Sequence, residues 1–191
     1  MIDINSVTDF YYDPHGKHYT GIYKLLKGWC ASVNGITKVL HCDYLHTADG
    51  MPVFVSYNDK FHDLRDEERY LKTIDKMIEC YGITKRITLV FDRGIYGLET
   101  FLSIKKNPKI DIITWEKDYK STSSKINDWK EFSLIRYRNN SHDPQKYDFK
   151  YHKEYFDKDE KIVRIIVRAK NPREKTIEVS VIATDTSRWY R

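Results

Sequence analysis

Apolar residues recur along the chain with two different periods, and the changes between them divide it into elements. Val7 to Tyr12 (Val-Thr-Asp-Phe-Tyr-Tyr) is β-branched and aromatic and meets a turn signal at Asp13-Pro14-His15-Gly16. Because Pro14 has no N–H to give to a ladder, a strand ending at Asp13 is predicted. Tyr19 to Leu26 has no firm period. Ile36, Val39, Leu40 and Cys42 then stand among polar residues, and Ala48-Asp49-Gly50 separates them from Pro52-Val53-Phe54-Val55. That pattern predicts a hairpin.

Asp63 reads as a helix N-cap, with Asp66, Glu67 and Glu68 in the first turns, where the helix dipole favours negative charge. Leu64, Leu71, Ile74, Met77, Ile78 and Tyr81 follow at helical spacing, and Gly82 marks the end. The short apolar run Arg86 to Phe91 fits a buried strand that stops at Asp92-Arg93-Gly94. A second helix over Leu98 to Lys106 breaks at Asn107-Pro108, and Ile110 to Trp115 forms another strand. After Lys117 the character changes. Lys120 to Asp128 is polar and Ser-rich, a linker or loop, and beyond it Phe132 to Tyr137, Lys161 to Arg168 and Thr176 to Thr184 alternate apolar with charged residues, the mark of strands with one wet face. Lys170-Asn171-Pro172-Arg173 is the turn between the last two. The sum is an α/β protein with a mixed sheet and flanking helices over residues 1–119, followed by a β-rich segment over 120–191.

Composition sharpens this picture in two ways. The 191 residues are 40% hydrophobic and 32% charged, enough for a real core, and the apolar runs are too short for a membrane span or a signal region, so no membrane association and a cytoplasmic location are expected. Cys30, Cys42 and Cys80 are odd in number and widely separated, unlike a disulfide framework or a zinc site. The net charge of +5 is unevenly placed. Residues 1–120 hold 17 Lys or Arg against 17 Asp or Glu, and residues 121–191 hold 16 against 11. A basic C-terminal part beside a neutral one suits contact with a polyanion such as DNA.

Sheets of this kind carry their chemistry where strands end. Asp13 and Asp92 both stand at predicted strand ends. Hard divalent cations such as Mg²⁺ or Mn²⁺ require oxygen ligands, and two Asp side chains from neighbouring strands supply them. A metal so held activates a water or stabilises the leaving oxygen of a phosphodiester. An Asp after an apolar strand is also commonly a plain turn residue or helix cap. His15 and His18 beside Asp13 offer imidazoles to a transition metal, to phosphate or to solvent. Arg93, next to Asp92, is placed either to hold a DNA phosphate or to pair with a carboxylate. Aromatic residues among the cations of the C-terminal part, such as Trp129, Tyr151 and Trp189, fit either base stacking or an ordinary sheet. No Gly-rich phosphate loop, Ser-His-Asp order or dinucleotide fingerprint is present, which excludes kinase and dehydrogenase readings.

Val90-Phe91-Asp92-Arg93-Gly94-Ile95-Tyr96, between two helices, resembles the second-aspartate motif of bacterial insertion-sequence transposases of the DDE type. Asp13 in Tyr11-Tyr12-Asp13-Pro14-His15 resembles their first aspartate, and Gly50 to Val53 and Asn58 to Arg65 resemble the hairpin and helix entry between the two. The resemblance covers about residues 7 to 117. It implies a ribonuclease H-like mixed sheet with a β-rich insertion, Mg²⁺ (or Mn²⁺) held by Asp13 and Asp92, and metal-dependent cleavage and strand transfer of DNA at transposon ends; on such a protein the residue chemistry of Arg93 and His15 makes them the candidates for DNA contact. A homodimer is among the assemblies this allows. The family's third acid, a Glu on a helix after the insertion, has no counterpart before Arg191; Glu116, Glu160 and Glu178 stand in the wrong places. The chain is therefore expected to be a C-terminally truncated core. Two other readings stay open: a non-catalytic DNA-binding or interaction remnant of a truncated transposase, and an unrelated α/β protein whose aspartates are caps.

Overall fold

A computed structural model describes residues 4–25, 27–58, 66–92, 98–121, 125–137, 144–170 and 175–184. Within them lie ten strands and two α-helices, with both parallel and antiparallel pairing. This is the α/β class with a mixed sheet that the alternation of periods predicts. No described helix is long and apolar enough to cross a membrane. The chain forms two compact units, Met1–Ile112 and Ile113–Arg191.

In the first unit β1 (Asp9–His18) is central. On one edge β3 (Gly35–His46) runs antiparallel to it, from Tyr11↔His46 to His18↔Val39. On the other edge β5 (Ile87–Phe91) runs parallel, from Asp9↔Thr88 to Tyr12↔Phe91. β6 (Ile110–Trp115) lies next to β5, and the short β2 (Lys27–Cys30) pairs with the start of β3. β3 and β4 (Pro52–Asn58) form the hairpin expected around Ala48-Asp49-Gly50; Gly50 takes φ +84° and donates its N–H to the Thr47 carbonyl at 2.9 Å.

Helix α1 (Asp66–Tyr81) presents Tyr70, Ile74 and Met77, all buried, at one-turn intervals to the sheet. Tyr70 meets Tyr12 and Phe91, which with Phe10 and Leu89 are the β1 and β5 residues that alternate into the core. The helix stops as expected at Gly82. That residue takes φ +57°, its N–H reaches the Glu79 carbonyl at 3.1 Å, and the Ile83 N–H reaches that of Ile78 at 2.9 Å, the paired closure of a left-handed C-terminal cap. The proposed cap Asp63 lies outside the described residues. Helix α2 (Leu98–Lys105) buries Phe101 and Ile104 and ends before Asn107-Pro108.

One boundary differs from expectation. β1 does not end at Asp13 but continues through Pro14 and Gly16 to His18. Pairing with β5 stops at Tyr12, so beyond that point only β3 flanks β1 among the described strands, and a proline without an N–H is tolerated on the open edge.

The second unit is an antiparallel meander of β7 (Lys130–Tyr137), β8 (Pro144–Asp157), β9 (Ile162–Lys170) and β10 (Thr176–Thr184), and β10 pairs with Ile113 to Trp115 of β6. Three of these strands are predicted by alternation. β8 is not, and of the expected turn after Lys170, residues 171–173 lie outside the described residues.

Candidate active site

The parallel register of β1 and β5 closes on Tyr12↔Phe91, whose rings lie 5.3 Å apart in the core. Asp13 and Asp92 are the next residues on the two chains. Neighbouring strands lie about 4.8 Å apart, so the two aspartate backbones leave the paired region about one strand spacing from each other. Tyr12 is buried, and alternation turns Asp13 to the opposite, half-exposed face; Asp92 is exposed. Backbone register therefore sets the two aspartates at neighbouring strand ends.

Because β1 continues, Asp13 shares its face with Tyr11, His15 and Lys17. The His15 Nε2 lies 2.8 Å from the Asp13 Oδ2. Tyr44 stands opposite Asp13 on β3, and its ring meets that of His15 edge-on at 5.8 Å. The Lys17 ammonium lies 5.2 Å from the Tyr44 ring centre, and a hydrogen bond to Tyr44 raises its pKa above the ordinary lysine value, so it is cationic at neutral pH. His46 stacks on Tyr11 at 5.4 Å. Together Asp13, His15, Lys17, Tyr44 and His46 line an open groove. It can accept a cation at Asp13 and an anion at Lys17.

On the reverse face, directly opposite Pro14, Asp43 is 1% exposed and lies 3.1 Å from the Arg69 Nε of α1. Burial, and then the Asp43 carboxylate, push ionisation of the Tyr12 hydroxyl upward. Tyr70 closes the layer edge-on against Tyr12 at 5.1 Å. The strand that carries Asp13 thus rests on a buried aromatic and ion-paired floor.

Two carboxylates suit a hard cation that keeps several waters and also takes phosphate oxygens, so the donor chemistry of Asp13 and Asp92 fits Mg²⁺ or Mn²⁺. Among the described residues no group of three His, Cys, Asp or Glu is arranged to hold a metal. Of the acids set aside in the sequence, Glu116 accepts from the Arg164 Nε and Nη2 at 2.8 and 2.6 Å and from Ser180. Glu178 accepts from Tyr119 and Arg168. Both are tied up in the second unit.

Arg93 lies outside the described residues. His15 is brought to Asp13. Lys17, Tyr44 and His46 escaped the sequence reading, although Tyr11, Asp13, His15 and Lys17 alternate; the Pro14-His15-Gly16 turn signal masked that period.

No protein-family model matches the chain, and no curated protein does. Among solved structures it is similar to a piggyBac transposase in a synaptic complex with hairpin DNA, with a TM-score of 0.51 at 10% identity. The match takes in 94% of this chain but only 34% of the transposase, so the chain spans about a third of that neighbour. The fold is ribonuclease H-like. The Argonaute of Marinitoga piezophila with guide RNA and target DNA aligns at a TM-score of 0.38 and 15% identity over 94% of this chain and 23% of its own.

Proposed function

We propose that the chain is a nuclease of the DNA-transposase kind that cleaves phosphodiesters with a divalent metal held by Asp13 and Asp92. The observation that carries this reading is the parallel register ending at Tyr12↔Phe91, which delivers both aspartates to one end of the sheet. A ribonuclease H-like fold, a neighbour that is a transposase on hairpin DNA, and a basic excess after residue 120 support it. The finer assignment, to DDE-type insertion-sequence transposases with strand transfer at transposon ends, rests on Phe91-Asp92-Arg93-Gly94 and on Asp13 in its strand.

Bound Mg²⁺ would supply Lewis acidity and lower the pKa of a coordinated water. Asp13 and Asp92 would hold it. His15 orients the Asp13 carboxylate through the 2.8 Å contact, leaving one oxygen directed elsewhere. Lys17 supplies a fixed positive charge in the groove for a backbone phosphate. A second reading is a DNA-binding protein without catalysis: among the described residues no group of three His, Cys, Asp or Glu is arranged to hold a metal.

Plasmid nicking by the full chain in Mn²⁺ tests the first reading. Asp92→Asn and Asp13→Asn should each cut at least about a hundredfold more slowly and lose calorimetric Mn²⁺ binding while keeping wild-type thermal stability. Unchanged nicking in both variants would overturn it. Salt-sensitive, metal-independent DNA binding with no cleavage would establish the non-catalytic reading instead.

A further inference from the structure

The four strands of the second unit sort their charges by face. Register sets Phe132 opposite Phe149, Tyr151 opposite Val167, and Ala169 opposite Ile177, so alternation gathers these side chains on one side of the sheet. Phe132 and Phe149 stack with centroids 4.8 Å apart, and Tyr151 meets Phe132 edge-on at 5.6 Å.

The other side carries Glu131, Asp148, Glu154 and Glu178, each with a cation, and Asp157, which a register shift at the end of β8 sets opposite Ile162, accepts from the Glu160 N–H. Glu131 pairs with Lys150 at 2.8 Å, Asp148 with Lys146 at 3.0 Å, Glu154 with Arg164 at 2.9 Å and Glu178 with Arg168 at 3.1 Å. Trp129 covers the Arg168 guanidinium at 4.3 Å. On the aromatic side, no Asp or Glu appears among the described residues of β7 to β10. Its cations are Lys130, opposite Tyr151, and Lys153, opposite Ile165.

This side is also open. Phe132 is 43% exposed, Leu134 50%, Tyr147 39%, Tyr155 50% and Ile177 47%. Exposed aromatic planes with cations and no carboxylate match a ligand that is anionic and offers flat unsaturated surfaces. Unpaired nucleotides have both properties. A duplex offers phosphates but keeps its bases stacked inside, and gives the rings nothing to stack on. A second copy joined through this face would set its own Lys130 and Lys153 against the same two lysines.

We propose that the aromatic face of β7 to β10 binds single-stranded nucleic acid, by base stacking on Phe132 and Tyr147 and by phosphate contact at Lys130 and Lys153. The surface stands apart from the Asp13 and Asp92 reading and holds whether or not that reading does. The test is fluorescence anisotropy of the full chain with a labelled oligothymidylate of about 20 nucleotides, in chelator, against a duplex of equal length. The single strand should bind tighter than the duplex. Phe132→Ala and Tyr147→Ala should each weaken it about five- to a hundredfold. Phe132→Tyr, which keeps the ring, should restore binding and carries the test if the alanine variant unfolds by circular dichroism. Trp29→Ala, at an exposed ring of the first unit, should change nothing. Equal affinity for duplex, or alanine variants that are folded and bind normally, would overturn the proposal. So would a dimer in sedimentation that Leu134→Asp dissociates, which would make the face an interface between copies.

Discussion

Asp43 and Arg69 decide more about the candidate site than their distance from solvent suggests. The carboxylate is 2% exposed and the guanidinium 13%, and the pair lies beneath the segment of β1 that carries Asp13 and Pro14. Removing one member of a buried ion pair strands the other's charge, at a cost of about 3–5 kcal/mol. Asp43→Ala should therefore destabilise the chain by about that amount in urea denaturation, and Asp43→Asn, which keeps an acceptor oxygen, by clearly less. Equal stability of Asp43→Ala and wild type would show that the pair carries no weight. The same logic warns against reading any loss of nicking in Asp43 variants as catalytic. At this scale Asp92 was legible, because it follows an unbroken apolar strand. Asp43 was not: in His41-Cys42-Asp43-Tyr44 it reads as a wet position, and its partner comes from a helix far along the chain.

Elements whose ends are fixed by local chemistry were legible from the residues alone. Gly82 ends α1 because a residue with a Cβ strains at φ +57°, and the two hydrogen bonds closing on Glu79 and Ile78 require that conformation. A Cβ at Gly82 would meet nothing within 4 Å, so the cost of Gly82→Ala is conformational and not steric. It should lower stability by about 1–2 kcal/mol, seen as a lower urea midpoint with an unchanged slope. Elements whose extent depends on partners were misjudged. β1 outruns its turn signal because β3 pairs with it as far as His18, and only the pairing with β5 ends where the sequence puts the end of the strand. β8 was hidden for another reason. Its alternating Tyr147, Phe149, Tyr151 and Tyr155 are separated by Lys146, Asp148, Lys150, His152 and Glu154, so its mean hydropathy resembles that of a loop; β7 and β9 on its two edges hold it in the sheet.

For the molecule as a whole, the sequence showed where positive charge accumulates but not on which side of a sheet it lies. Acids and cations alternate so closely from Lys130 to Glu154 that a linear count hides their segregation, which appears only when register sets each pair to a face. That segregation makes a quantitative claim about salt. Each phosphate neutralised on a single strand adds about 0.7 to the slope of log affinity against log salt concentration. If Lys130 and Lys153 each hold one phosphate, the Lys130→Ala/Lys153→Ala double variant should flatten that slope by about 1.4. Lys150→Ala is the control per charge, since it removes one lysine from β8, the strand of Lys153, but on the side where Glu131 lies 2.8 Å away. Total charge alone would predict a similar flattening per lysine removed from either face. A face-specific effect requires the double variant to lose the slope and Lys150→Ala to keep it nearly whole, and equal flattening per charge would reduce the aromatic face to part of a diffuse positive field.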